Sequence, residues 1–166
     1  MDPSCFTNSP SVSAWMAANG IADGVAIQSY FWQTVSARVL PGLNRTLGVW
    51  IADDGIPDPA DLPPGSFGDV WQSQSQMAPV LARGGRVVLS GPWYLDVQQP
   101  GGFQTYNLKD LWKGMYRVEP LFNLTAAEAE MVVGGQACMW GEGVNQADLD
   151  AYAVTKAAAV AERLWS

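Results

Sequence analysis

Four short apolar runs, each leading to an aromatic or acidic residue and set among helical patterns, restrict the folds open to this chain more than any other feature. TLGVWI at 46–51 ends on Trp50, and FGDVW at 67–71 ends on Trp71. RVVLSGPW at 86–93 leads to Tyr94 and Asp96. The run that opens MVVGGQACMWGEGVN, at 131–145, leads to Trp140 and Glu142. Helical signals fill the intervals. Ser9-Pro10 reads as an N-cap and first-turn proline for a helix through Met16 that ends near Asn19-Gly20. Ile27, Phe31, Val35 and Val39, with Tyr30 widening the stripe, predict a helix over 25–40 stopped by Pro41-Gly42. Residues 53–66 are rich in Pro, Asp and Gly and read as a loop. Gln72 to Arg83 reads as helical despite Pro79 and closes on Gly84-Gly85. A brief helix is expected around Leu108 to Trp112, a capping box at Thr125 and Glu128, and an Ala-rich helix over 153–165. Strands alternating with helices predict an α/β fold with parallel strands and right-handed crossovers, in one domain over residues 1–166.

In parallel α/β folds the C-terminal ends of the strands form the site. Here those ends carry Trp50, Trp71, Tyr94, Asp96, Trp140 and Glu142. Cys138, Trp140 and Glu142 alternate, which in a strand places them on one face, and Gly141 and Gly143 leave the carboxylate open to approach. An indole covers the apolar C–H face of a sugar while a carboxylate accepts its hydroxyl hydrogens. The residues by themselves also allow a blander reading, with core tryptophans and a solvated Glu142.

Composition removes other classes. With 48% hydrophobic and 15% charged residues the chain reads as folded, and its 166 residues suffice for a real core. The net charge of −7 offers no basic stripe for nucleic acid and suits an acidic compartment. Histidine is absent, which excludes Ser-His-Asp and Cys-His catalysis and imidazole metal sites, so acid–base chemistry falls to carboxylates, Tyr, Lys or Cys. Neither a metal nor a cofactor is expected. No apolar run reaches membrane-spanning length, and MDPSCFTNSP lacks a signal-peptide pattern. The sequons at Asn44 and Asn123 would matter only in a secreted protein.

VVGGQACMWGE at 132–142, followed by AAAVAERLWS at 157–166, resembles the C-terminal part of the catalytic barrel of glycoside hydrolase family 20, the β-N-acetylhexosaminidases. VVLSGPWYLD at 87–96 resembles that family's seventh-strand motif, YRVEPL at 116–121 the segment before its eighth strand, and CFTNSPSVSAWM at 5–16 the stretch after its fourth. The resemblance covers essentially the whole chain. It implies the C-terminal half, about strands five to eight, of a (β/α)8 barrel. It also implies substrate-assisted hydrolysis of terminal N-acetylhexosamine residues in glycans or glycoconjugates, in which the 2-acetamido oxygen attacks the anomeric carbon. By this resemblance Tyr94 hydrogen-bonds the acetamido carbonyl. Trp50, Trp71 and Trp140 line the pocket, and Asp96 and Glu142 bind the outer hydroxyls. A lysosomal or secreted setting is implied as well.

The departures from the family are specific. Its catalytic Asp-Glu pair precedes the position matching Cys5 and would fall immediately ahead of Met1; Asp2 comes after the expected Glu and does not take the role. The first barrel strands, with their sugar-binding Arg, have no match. Gln136 stands where the family has Glu, Val154-Thr155 replace Trp-Pro, and Ile51-Ala52 replace Gln-Glu. Cys5 resembles a cysteine that bonds an upstream partner, so it is expected unpaired, and Cys138 is expected to be a buried thiol. An isolated half-barrel would expose two strand edges and an unfilled interior. Three readings follow: part of a full-length hydrolase, inactive alone; a non-catalytic N-acetylhexosamine-binding half-barrel; or a half-barrel that assembles as a homodimer or with a separate N-terminal half.

Overall fold

The computed structural model describes residues 4–51, 58–96, 111–141, 144–147 and 149–166. Its organising element is a parallel four-stranded sheet in sequence order: β1 (Gly48–Ile51), β2 (Phe67–Val70), β3 (Arg86–Leu89) and β4 (Val132–Gly135). The register puts Trp50, Asp69, Val88 and Gly134 in one lateral row and Ile51, Val70, Leu89 and Gly135 in the next. A bulge between Val87 and Val88 sets the register against β4.

Helices α1 (Ser4–Thr7), α2 (Pro10–Ala18) and α3 (Gly24–Thr34) precede the sheet. Asp23 caps α3 by accepting from the backbone N–H groups of Val25 and Ala26. The helix does not stop at Pro41. A π-helical turn, Val35–Val39, re-registers the backbone and leads into α4 (Leu40–Leu43), where Pro41 sits in a first turn that needs no N–H from it. Asn44, at φ 48°, ends the helix, and Asn123 also adopts positive φ (61°). Both sequon asparagines thus hold left-handed positions that asparagine tolerates well. Ser9 occupies the N-cap of α2 without a side-chain capping bond; its hydroxyl lies 3.2 Å from that of Ser11.

After β2, a 3-10 turn at Gln74–Gln76 leads into α5 (Met77–Leu81), shorter than the helix read from sequence because Pro79 confines it. Gly84, at φ 72°, supplies the left-handed stop. The third strand ends at Leu89 rather than Trp93, because Pro92 cannot donate to a ladder and the chain turns through Gly91–Trp93. Helix α6 (Leu111–Arg117) overlaps the brief helix expected around 108–112 and runs on past Trp112, residues 108–110 lying outside the described residues. The Thr125–Glu128 capping box forms and starts α7 (Ala126–Ala129). Helix α8 (Leu149–Trp165) begins four residues before the Ala-rich run.

The core lies on one side of the sheet. Val49, Ile51, Val70, Val87 and Leu89 point into it and are at most 6% exposed, packed with Met77, Val80 and Leu81 of α5, Met115 of α6 and Val160 of α8. Trp93 is fully buried, and its indole N–H donates to the Met115 carbonyl at 3.0 Å, tying the turn after β3 to α6. Arg163 of α8 donates to the Val118 carbonyl at 2.6 Å and pairs with Glu119. The opposite face of β1 is open: Gly48 and Trp50 are exposed where Val49 and Ile51 are buried. The fold is therefore α/β with a parallel sheet.

Candidate functional site

Side chains with chemistry gather at the C-terminal ends of the strands. Trp50 projects from β1 on the open face, 56% exposed, and meets Trp140 edge to face with ring centroids 5.8 Å apart. Such pairs hold each other's orientation through the ring quadrupoles. Beyond the turn 91–93, the backbone of Tyr94 forms a parallel bridge with Cys138. The Leu95 N–H donates to the Cys138 carbonyl at 2.7 Å, and the Cys138 N–H to the Trp93 carbonyl at 3.0 Å. These bonds extend the β3–β4 pairing past both strand ends and bring Tyr94 beside Trp140, whose side chain hydrogen-bonds the phenol.

Asp96 accepts the backbone N–H of Trp140 at 3.1 Å, so one of its oxygens braces the segment that carries the indole. Lys156 of α8 supports the same turn from below: its ammonium donates to the Leu95 carbonyl at 2.5 Å and lies over the Tyr152 ring, 4.5 Å from its centroid. Burial lowers the Lys156 pKa, and the Asp96 charge opposes that shift. Trp71 follows β2 and is half-buried. Glu142 lies outside the described residues, so its position relative to Trp140 is not part of this geometry. Over the described residues 138–141 the chain is not a strand: β4 stops at Gly135, and Cys138 is held by an isolated bridge.

The sequence reading missed one polar group. Asp69, in the middle of β2, is 6% exposed and faces the same side as Trp50. Its Oδ1 accepts the Ser90 hydroxyl at 2.5 Å, and its Oδ2 accepts the Gln136 side-chain amide. A signal existed: an acid two residues before Trp71 in an apolar strand shares its face. Burial raises the Asp69 pKa, against the opposing Ser90 bond. Burial also raises Tyr94 and Cys138, with negative neighbours, Asp69 among them, adding to both. The phenol and the thiol are thus held in their protonated forms, and the phenol is available as a donor. Cys138 is half-buried rather than buried, because the open face reaches it; Cys5 is exposed, and neither is in a disulfide.

What the arrangement can do is bind a polyol against two indoles, with a phenol donor and a carboxylate at its edge. Residues 1–166 match the family described as "Glycosyl hydrolase family 20, catalytic domain". The chain is 33% identical over 162 residues to beta-hexosaminidase subunit A1 of Dictyostelium discoideum, covering 98% of this chain and 30% of the relative. It is 34% identical over 167 residues to beta-hexosaminidase subunit beta of Homo sapiens, covering 98% and 28%. The chain therefore spans about 30% of the length of the curated relatives it matches. Among solved structures, it superposes on a GH20 exo beta-N-acetylglucosaminidase from Vibrio harveyi in complex with N-acetylglucosamine, with TM-score 0.75 and 22% identity over 97% of this chain and 26% of that one. The Flavobacterium johnsoniae chitobiase superposes with TM-score 0.72 and 21% identity, over 97% and 24%. Both are barrel enzymes, and this chain covers part of their length.

Proposed function

The chain belongs to glycosyl hydrolase family 20, and from that premise we propose that it forms the substrate-holding wall of a β-N-acetylhexosaminidase site. The observation that carries the proposal is the convergence of Trp50, Tyr94, Asp96 and Trp140 from three strand ends onto one rim. Trp50, Trp71 and Trp140 would stack on a terminal N-acetylhexosamine, and Asp96 and Glu142 would accept its outer hydroxyls. Tyr94, kept protonated by burial and by nearby negative charge, would donate to the acetamido carbonyl oxygen. That bond would align the oxygen for attack on the anomeric carbon and stabilise the resulting oxazolinium ion. The general acid and the Asp that orients the acetamido group would come from residues outside this 166-residue stretch, in the N-terminal half of the barrel. We propose glycans or glycoconjugates as the substrates, and a lysosome or the extracellular space as the setting.

The test is binding before catalysis. N-Acetylglucosamine titrated into the chain is expected to bind at millimolar concentration, and Trp140→Ala is expected to weaken it about tenfold, roughly 1.4 kcal/mol. Absence of calorimetric or fluorescence change at millimolar sugar counts against the wall. A form extended upstream to include an Asp-Glu pair should then release an aryl leaving group from an N-acetylglucosaminide, while the 166-residue chain should not.

The open face of β1 favours a second reading alongside the first, in which the half-barrel is completed by another copy or by a separate N-terminal half.

A further inference from the structure

Asp69 is the point at which three strand ends are tied together. It sits on β2, Ser90 follows β3, and Gln136 follows β4. Ser90 opens the turn that delivers Tyr94 and Asp96, and Gln136 opens the segment that delivers Cys138 and Trp140. Both neighbours are donors: the hydroxyl of Ser90 bonds one carboxylate oxygen and the amide of Gln136 bonds the other. The backbone around them is fixed as well, with the Ser90 N–H donating to the Val70 carbonyl and the Gln136 N–H to the Leu89 carbonyl, each at 3.0 Å. An acceptor-only group between two donors has its hydrogen-bonding satisfied in the ionised form.

We propose that Asp69 is a positioning residue which sets the spacing between the Tyr94 and Trp140 segments, and that residue 136 must be a donor for as long as residue 69 is a carboxylate. Acid at both positions would place two carboxylates at hydrogen-bonding distance, a pair that one shared proton relieves. An exchange of the two functions keeps every bond. Asn at 69 would accept from Ser90 through its carbonyl oxygen and donate its amide to Glu at 136. Among the described residues, the titratable groups that share this cluster are the protonated Tyr94 and Cys138, both acted on by the Asp69 and Asp96 charges, with Cys138 also hydrogen-bonded to Ser90.

The experiment is a four-member cycle of wild type, Asp69→Asn, Gln136→Glu and the double exchange, unfolded in urea at pH 7.5 and pH 4.5. Gln136→Glu is expected to lose about tenfold or more in its folding equilibrium at pH 7.5, relative to wild type at the same pH, and to recover most of it at pH 4.5. The double exchange should return to within about threefold of wild type at both values, and Asp69→Asn should stay close to wild type because an Asn–Gln pair still bonds. A Gln136→Glu penalty that ignores pH, or a double exchange no better than Gln136→Glu, overturns the proposal. Positioning is read separately from stability in the aromatic circular dichroism of the Trp50–Trp140 pair, taken as the difference between each variant and its Trp140→Ala counterpart. The signal should be lost in Gln136→Glu at pH 7.5 and restored by the exchange; stability restored without that signal also overturns it. Sugar affinity, the one arm that rests on the function proposed above, should follow the same order. If wild type binds no sugar while the cycle and the dichroism behave as stated, the function fails and the positioning role stands.

Discussion

Tyr94 and Cys138 face each other across a backbone bridge, and the same causes raise both pKa values: burial first, then neighbouring negative charge. For Cys138 the consequence is chemical inertness, because the thiolate is the nucleophile and little of it is present near neutral pH. Cys5, exposed on α1, has no such cover. Iodoacetamide at pH 7.5 is expected to alkylate Cys5 at least about tenfold faster than Cys138, with peptide mass mapping as the readout; equal rates would contradict the geometry. Wild-type stability should also carry the mark of Asp69. With its folded pKa raised above the ordinary value of 3.8, its protonated form is favoured by folding. That contribution is present in full at low pH and is lost as pH rises through the folded pKa. Trp50, Tyr94 and Trp140 were legible as rim residues because each stands at the end of a recognisable apolar run. Asp69 was not, because a single acid inside a strand means nothing until its two donors, 21 and 67 residues away, are placed around it.

Strand β3 shows how an element's end decides what the site receives. Period 2 assigns Trp93 to the core face with Val87 and Leu89, and Tyr94 to the other. The turn at Gly91–Trp93 ends the ladder while keeping that division, so Trp93 is buried against β4 and Tyr94 reaches the rim. A Cβ added to Gly135 would lie 2.1 Å from the Trp93 ring and 2.8 Å from the Leu89 carbonyl. Gly135→Ala is therefore expected to cost about 1–3 kcal/mol of stability in urea titration, the range for overpacked cores. Gly141→Ala, which meets nothing within 4 Å, should stay within about 0.5 kcal/mol of wild type. Similar costs at both positions would mean that Trp93 is not the obstacle. The end of the third strand was read too late because Pro92 stops it, and helix α8 was read short because its first turn lacks the Ala-rich pattern that marks the rest. The capping box at Thr125 was legible because both partners lie within one turn of chain.

At the scale of the molecule, one fact governs the rest: a parallel sheet, which is usually covered on both faces, has its apolar core on one, and among the described residues Gly48 and Trp50 of β1 stay exposed on the other. Trp50 and Trp140 stay 56% and 42% exposed on the open side, and such a surface drives association. Sedimentation of the 166-residue chain across a tenfold range of concentration is expected to give a mass that rises above 17.9 kDa. A species that remains a folded monomer throughout would rule out the assembling half-barrel. The sequence by itself determined the parallel α/β fold, the family and the place of Trp50, Tyr94, Asp96 and Trp140 beyond the strand ends, because apolar periodicity and contiguous motifs are properties of local chain. The tertiary structure alone decided that Asp69 binds Ser90 and Gln136, that Lys156 supports the Leu95 carbonyl, and that Trp93 turns inward while Trp50 turns out. Those outcomes depend on which side of the sheet is packed and on how the strand ends are registered, and no stretch of the chain carries that information before the strands are brought together.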